Sequence, residues 1–169
     1  SAALMSDGEL VAACEQERYS GDKHSRKFPI DAISDCFQQS GILLSEVDKL
    51  AFAFDPIYHI AELYLRPALK DPSQIQRIIL DIDRIKENYN VEAFIREQTQ
   101  YRGPIEYFNH HECHLASTYY PSGFKEALLV SYDGIGEHET GMFGVGRDGS
   151  IEIVHKNNVF PNSLGLLYS

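Results

Sequence analysis

The sequence predicts an α/β domain carrying a helical insertion, and three observations lead there. Short apolar runs of strand length are closed by Asp-Gly turns at Asp7-Gly8 and Asp148-Gly149. Between them lie segments with apolar residues at helical spacing, each with its own start or stop residue. Residues 56–101 read as helical and amphipathic throughout, which sets them apart from the strand-rich flanks.

The chain has 169 residues, 43% hydrophobic and 24% charged, enough for one domain with a sizeable core. No apolar run is long enough to span a bilayer, and no signal peptide is visible, so no membrane partner is expected. Three widely spaced cysteines, Cys14, Cys36 and Cys113, do not form a disulfide framework and point to a reducing cytoplasm. A net charge of −10 argues against nucleic acid as a partner. It also means that an anionic substrate must meet a local basic patch or a metal.

In chain order, Ser1 to Met5 reads as a strand, Asp7-Gly8 as a two-residue hairpin turn, and Glu9 to Cys14 as the partner strand. Glu15 to Phe28 is polar and loop-like, and holds the densest basic patch: Arg18, Lys23, His24, Arg26 and Lys27. It is either a solvated surface loop or an anion-binding one. Pro29 opens a helix running to about Ser40, with Gly41 as its stop. Asp48 to Phe54 reads as a buried strand ending at Asp55-Pro56.

Within the helical stretch, Asp71-Pro72-Ser73-Gln74 is a helix start, with a cap residue followed by proline at the first position. Ile75, Ile78, Ile79, Ile82 and Ile85 then share a face, which reads as packing. Pro104 to Phe108 is a short strand. Ala127 to Tyr132, Thr140 to Val145 and Ile151 to His155 are three more, and a final helix begins near Pro161.

The chemistry concentrates in Asn109-His110-His111-Glu112-Cys113-His114, read as a helix to Tyr119 or Tyr120. His110 and His114 stand at i and i+4, with Cβ atoms roughly 6 Å apart on one face. Two neutral imidazoles so placed can share a divalent metal. Asp133, where the strand meets the glycines of Asp133-Gly134-Ile135-Gly136-Glu137, is a candidate third ligand. Gly134 and Gly136 let backbone amides approach a phosphate. Glu137 either lines an acceptor site or is simply exposed. His111 points off the ligand face and is read as supporting; Cys113 points elsewhere too and is not read as a nucleophile. His59, His138 and His155 have no evident partner.

Superposing the two Asp-Gly turns places Ala2-Ala3-Leu4-Met5 on Phe143-Gly144-Val145-Gly146, and Leu10-Val11-Ala12 on Ile151-Glu152-Ile153. The later copy has strand, acidic loop, strand, turn, strand; the earlier has only its last two strands. This predicts a piece of a two-lobed protein with duplicated antiparallel sheets. That plan resembles the actin-like ATPase and sugar-kinase (ribonuclease H-like) fold.

Further residues carry a more specific resemblance. Ser-Ala-Ala-Leu at 1–4, Ala-Cys-Glu-Gln-Glu-Arg at 13–18, Lys-His at 23–24, and Phe-Pro at 28–29 are similar to the start of the O-carbamoyltransferase family. So are His-His-Glu-Cys-His-Leu-Ala-Ser at 110–117, Tyr-Pro-Ser-Gly-Phe at 120–124, Ser-Tyr-Asp-Gly-Ile-Gly-Glu at 131–137 and Asn-Ser-Leu-Gly-Leu-Leu-Tyr-Ser at 162–169. That family includes nodulation and antibiotic-tailoring carbamoyltransferases. His110-x-Glu112-x-His114 also resembles the metal-binding helix of the tRNA threonylcarbamoyl-adenosine synthesis subunit, with Cys113 where that helix has glycine.

The resemblance implies a partial amino-terminal carbamoyl-transfer domain. Its first lobe would comprise residues 1–55 and 104–125, with the insertion at 56–103 and a second lobe starting at 126–169. A carboxy-terminal domain outside this chain would make carbamoyl adenylate from carbamoyl phosphate and ATP. The actin-like domain would pass the carbamoyl group to a hydroxyl of a small-molecule or sugar acceptor. The implied metal ligands are His110, His114 and Asp133, with a fourth ligand beyond Ser169; the metal is usually iron, hence Fe(II), with Mg²⁺ as another candidate. Lys23 resembles a substrate-contacting lysine, with Arg18 and His24 as weaker candidates, and a general-base segment would precede Ser1. The chain alone is then expected to be inactive. Two other functions fit the residues: a kinase or ATPase lobe performing phosphoryl transfer, and a non-catalytic metal-binding module. Acceptor and homo-oligomerisation are left open.

Overall fold

In the computed structural model, which describes residues 1–23, 27–158 and 162–167, both Asp-Gly pairs make the expected reversals. Asp7 and Gly8 have φ of 50° and 84°, and Asp148 and Gly149 have 49° and 79°. Two successive positive φ values match the right-handed twist of the strands they join. The first reversal joins β1 (Ala2–Ser6) to β2 (Glu9–Cys14), antiparallel from Ser6↔Glu9 to Ala2↔Cys14. The repeated hairpins share the turn but not the bulge. The register shifts between Leu4 and Met5 in one and between Phe143 and Gly144 in the other, positions that the superposition does not equate.

Contacts divide the chain into two compact units, residues 1–50 with 92–104, and residues 51–91 with 105–169. The helical stretch 56–103 is therefore shared between the two units. The first unit holds the β1–β2 hairpin and α1 (Glu17–Ser20), a single helical turn inside the segment expected to be all loop. It forms because Gly21, at φ 65°, closes the turn by donating its N–H to Glu17. Arg18 and Lys23 are exposed. Arg18 pairs with Glu15 at 3.6 Å, while His24 and Arg26 lie outside the described residues.

α2 (Ile30–Ser40) buries Ala32 and Cys36 and ends at Gly41 with φ 70°. Its start is capped from outside the helix: Gln16 Oε1 accepts from the N–H groups of Asp31 (3.1 Å) and Ala32 (3.2 Å).

β3 (Leu50–Phe52) is shorter than the expected strand and only half-buried, not a core strand. The second unit continues with α3 (Pro56–Ile60), where Asp55 caps Ile57 and Tyr58. A π-helical turn at Ala61–Leu65 leads into α4 (Arg66–Lys70). Asp71 then caps a 3₁₀ turn through Ser73 N–H, as its sequence predicts. α5 (Ile75–Leu80) and α6 (Ile82–Tyr89) follow, separated at Asp81. That break splits the expected isoleucine stripe: Ile75, Ile79 and Ile82 are 48%, 60% and 40% exposed, and only Ile78 and Ile85 are half-buried. Periodicity assumes one continuous helix, whereas Asp81 leaves helical geometry and accepts a bond from the buried Tyr64 hydroxyl at 3.1 Å.

α7 (Val91–Thr99) carries Ile95, buried in the first unit, and Phe94, whose ring meets Phe28 edge-on at 5.5 Å. β4 (Ile105–Tyr107) pairs with β3. α8 (His110–Tyr119) then packs on an antiparallel sheet of order β5-β6-β7, namely Glu126–Tyr132, Gly141–Arg147 and Ser150–Asn157. Leu115 and Tyr119 of the helix close against Leu129 and Met142, with Ala127, Ile151 and Ile153 around them. Gly146 permits that approach, since a Cβ there would come within 2.4 Å of the Tyr119 ring. α9 (Leu164–Leu167) ends the described chain. Among the described residues no helix is long and apolar enough to cross a membrane.

Candidate metal centre

Asn109 determines where the histidine helix begins. Its backbone is extended (φ −60°, ψ 134°), and its side chain accepts from Glu112 N–H at 3.2 Å. His110 and His114 are thus one turn apart, and β5 delivers Asp133 to the same place. His110 Nε2 lies 2.7 Å from Asp133 Oδ2 and 3.0 Å from His114 Nε2. His114 Nε2 lies 3.5 Å from the same carboxylate oxygen. Among the described residues these three make up the cluster able to hold a metal ion.

The donor set fits such an ion. Metal–nitrogen and metal–oxygen bonds of about 2.1 Å place adjacent ligands roughly 3 Å apart, as these atoms are. Two imidazole nitrogens and one carboxylate oxygen are a donor set that would suit a divalent transition metal. Asp133 is kept in its charged form. Burial alone would raise its pKa, but bonds from His110 and from the Gly134 N–H outweigh that and hold the carboxyl below its ordinary range.

The loop bearing Asp133 is braced from behind. Ser163 Oγ donates to the Asp133 carbonyl at 2.5 Å. Gly165 lies so close that a Cβ there would be 2.4 Å from the Asp133 carbonyl carbon and the Gly134 nitrogen. Backbone on both sides leaves no soft neighbour to yield. Gly165→Ala is therefore expected to shift Asp133 and weaken divalent-metal binding by the intact protein roughly tenfold or more. Calorimetric titration checks this, and an unchanged affinity would show that the contact does not hold the loop.

Glu137 is fully buried and not exposed. Its carboxylate accepts from Asp55 N–H (2.8 Å), His110 N–H (3.0 and 3.1 Å) and Asn109 Nδ2 (3.1 Å). Glu139 is equally buried. It accepts from the Tyr58 hydroxyl at 2.5 Å and from Asn109 Nδ2 at 3.3 Å, with Lys156 at 3.8 Å. Burial would raise the Glu139 pKa, but these partners lower it on balance; burial and Glu139 together push the Tyr58 phenol up. The loop amides are also engaged: Gly134 N–H bonds Asp133 Oδ1 at 2.6 Å and Gly136 N–H bonds the Glu139 carbonyl at 2.8 Å.

His111 is the supporting residue its direction predicts. It is fully buried, donating from Nε2 to the Glu139 carbonyl (3.0 Å) and accepting at Nδ1 from Ser131 (2.8 Å). His59, for which the sequence shows no partner, donates from Nδ1 to the Glu137 carbonyl at 2.6 Å. Cys113 is half-buried, and burial raises its thiol pKa, which suits a packed residue and not a nucleophile.

The structure thus gathers His110, His114, Asp133, Gly134, Gly136 and Glu137 in the second unit, while Arg18 and Lys23 belong to the first. Sequence reasoning missed Asn109, Glu139, Tyr58, Lys156, Ser163 and Gly165. Asn109 alone carried a local signal, as a cap residue directly before the helix.

Relatives exist along the whole chain. An uncharacterized protein of Synechocystis sp. is 33% identical over 181 aligned residues, covering 100% of this chain and 29% of the relative. Nodulation protein NolNO of Sinorhizobium fredii is 31% identical over 170 residues, covering 99% of this chain and 24% of the relative. Nodulation protein NolO of Bradyrhizobium diazoefficiens is 40% identical over 62 residues, 36% of this chain. The chain spans less than a third of the length of the first two. The family model for the carbamoyltransferase N-terminus matches residues 1–169, and the chain belongs to that family.

Proposed function

We propose that this chain is the metal-holding part of an enzyme that transfers a carbamoyl group from carbamoyl adenylate to an acceptor hydroxyl. The observation that carries the reading is the convergence of His110, His114 and Asp133 in a member of the carbamoyltransferase N-terminal family. Carbamoyl phosphate and ATP would supply the adenylate, in a part of the protein outside this chain. The antiparallel β5-β6-β7 sheet and the paired Asp-Gly hairpins support an actin-like plan for the domain.

In the transfer, a C–O bond forms between the acceptor oxygen and the carbamoyl carbon. The C–O bond to the adenylate phosphoryl group breaks, AMP departs, and the hydroxyl proton passes to solvent or a base. A bound divalent ion, Fe(II) in this reading, supplies Lewis-acid stabilisation of charge that develops on oxygen. This chain's residues would hold that centre: His110 and His114 through Nε2 and Asp133 through Oδ2, with the acidic loop fixed by the Ser163 hydroxyl and by the close approach of Gly165. The reading favours carbamoyl over phosphoryl transfer because the site offers two imidazole nitrogens, whereas Mg²⁺ sites in kinases are built from oxygen and water.

The test is a turnover assay of the intact protein with carbamoyl phosphate, ATP and a panel of sugar and small-molecule alcohols. Release of AMP and pyrophosphate that depends on carbamoyl phosphate, with carbamoylated acceptor, is the expected result. Release of ADP with a phosphorylated acceptor would overturn the reading.

A further inference from the structure

We propose that Glu137 is the positioning residue of this metal centre, setting the distance between Asp133 and His110 by gripping the backbone of the helix that carries the imidazole. The inference rests on the metal reading above. A fully buried carboxylate is costly unless each of its oxygens is met by donors. At Glu137 protein groups meet both oxygens: Asp55 N–H at 2.8 Å, His110 N–H at 3.0 and 3.1 Å, and Asn109 Nδ2 at 3.1 Å. What the bonds do is geometric.

Glu137 lies four residues after Asp133 on the same loop, and its side chain binds the amide of His110 itself. Loop, carboxylate and helix start therefore close a ring whose two ends are the acidic ligand and the first imidazole. The ring is filled. A Cβ on Gly136 would stand 3.0 Å from His111 Cδ2 and 3.3 Å from His110 Cβ, so the loop lies directly on the histidines. The backbone at residue 137 is pinned as well, its carbonyl accepting from His59 Nδ1 at 2.6 Å. A negative charge at the first N–H of α8 also suits the positive end of the helix dipole. Asn109 joins this grip to the second buried acid, its Nδ2 reaching both Glu137 and Glu139.

Glu137→Gln keeps the shape but turns one acceptor into an NH₂ facing backbone N–H groups. Glu137→Asp keeps the charge but draws it back by one methylene. Asn109→Ser keeps a cap acceptor for α8 while removing the amide that bridges the two acids.

The experiment is a Co(II) titration of the metal-free intact protein, read by its visible absorption, with thermal melts of each variant. In Glu137→Gln, Co(II) affinity is expected to fall about 10–100-fold with an altered visible spectrum, and in Glu137→Asp by less. Tyr64→Phe, which loses only the bond to Asp81, should lower the melting temperature and leave Co(II) affinity and spectrum as in wild type. A residue that merely stabilised the fold would behave like Tyr64. If Glu137→Gln does not fold, Asn109→Ser carries the test, with a several-fold loss expected. Wild-type affinity and spectrum in the folded variants would overturn the positioning role. Wild-type Co(II) binding that persists in His110→Ala/His114→Ala, or is absent from wild type, would instead overturn the metal reading, and the positioning role with it.

Discussion

Asp133→Asn is expected to weaken divalent-metal binding by the intact protein about 100-fold or more, with carbamoyl transfer falling in step. The substitution is nearly isosteric, so the loop stays in place; Ser163 holds the backbone carbonyl of residue 133, which the change does not touch. What is lost is the charge and one oxygen acceptor beside two imidazoles at 2.7 and 3.5 Å. Losing a residue that merely supports metal ligands costs 10–100-fold, so losing a ligand sets at least the upper end of that range. Calorimetry with Co(II) or Zn(II) measures it. Affinity within a few fold of wild type would mean that Asp133 is not a ligand.

Leu115→Ala is expected to destabilise the protein by about 2–5 kcal/mol, lowering the melting temperature by roughly 5–15 °C. Leu115 is fully buried between α8 and the sheet, against Tyr119, Leu129 and Met142. The neighbouring Gly144 and Gly146 keep helix and sheet too close for the gap to collapse easily. His110 and His114 occupy another face of α8, so saturating Co(II) should raise the melting temperature of variant and wild type alike. A fall below about 2 °C would show that this contact is not the core of the unit.

The local parts of the structure were the legible ones. Asp-Gly turns, the Gly41 stop, the Asp71 cap and the His110–His114 spacing each depend on a few adjacent residues, and each is present in the structure. Asp133 was readable as a candidate partner of the histidines because the apolar run of the strand ends there, and the structure brings its Oδ2 to 2.7 Å from His110 Nε2. The Glu137 contacts were hidden because its partners lie 27 and 82 residues away, at His110 and Asp55. Side-chain type alone made Glu137 a surface or substrate residue, whereas burial among backbone donors makes it a brace. The isoleucine stripe misled for the opposite reason. Its periodicity was genuine, but the turn at Asp81 breaks the helix that periodicity presupposes.

Metal analysis of the intact protein, purified without chelator, tests the central claim most directly. Near-stoichiometric transition metal, predominantly iron, is expected in wild type, with its loss in His110→Ala/His114→Ala. No transition metal in wild type, or an equal amount in the double variant, would contradict a metal centre built on His110, His114 and Asp133.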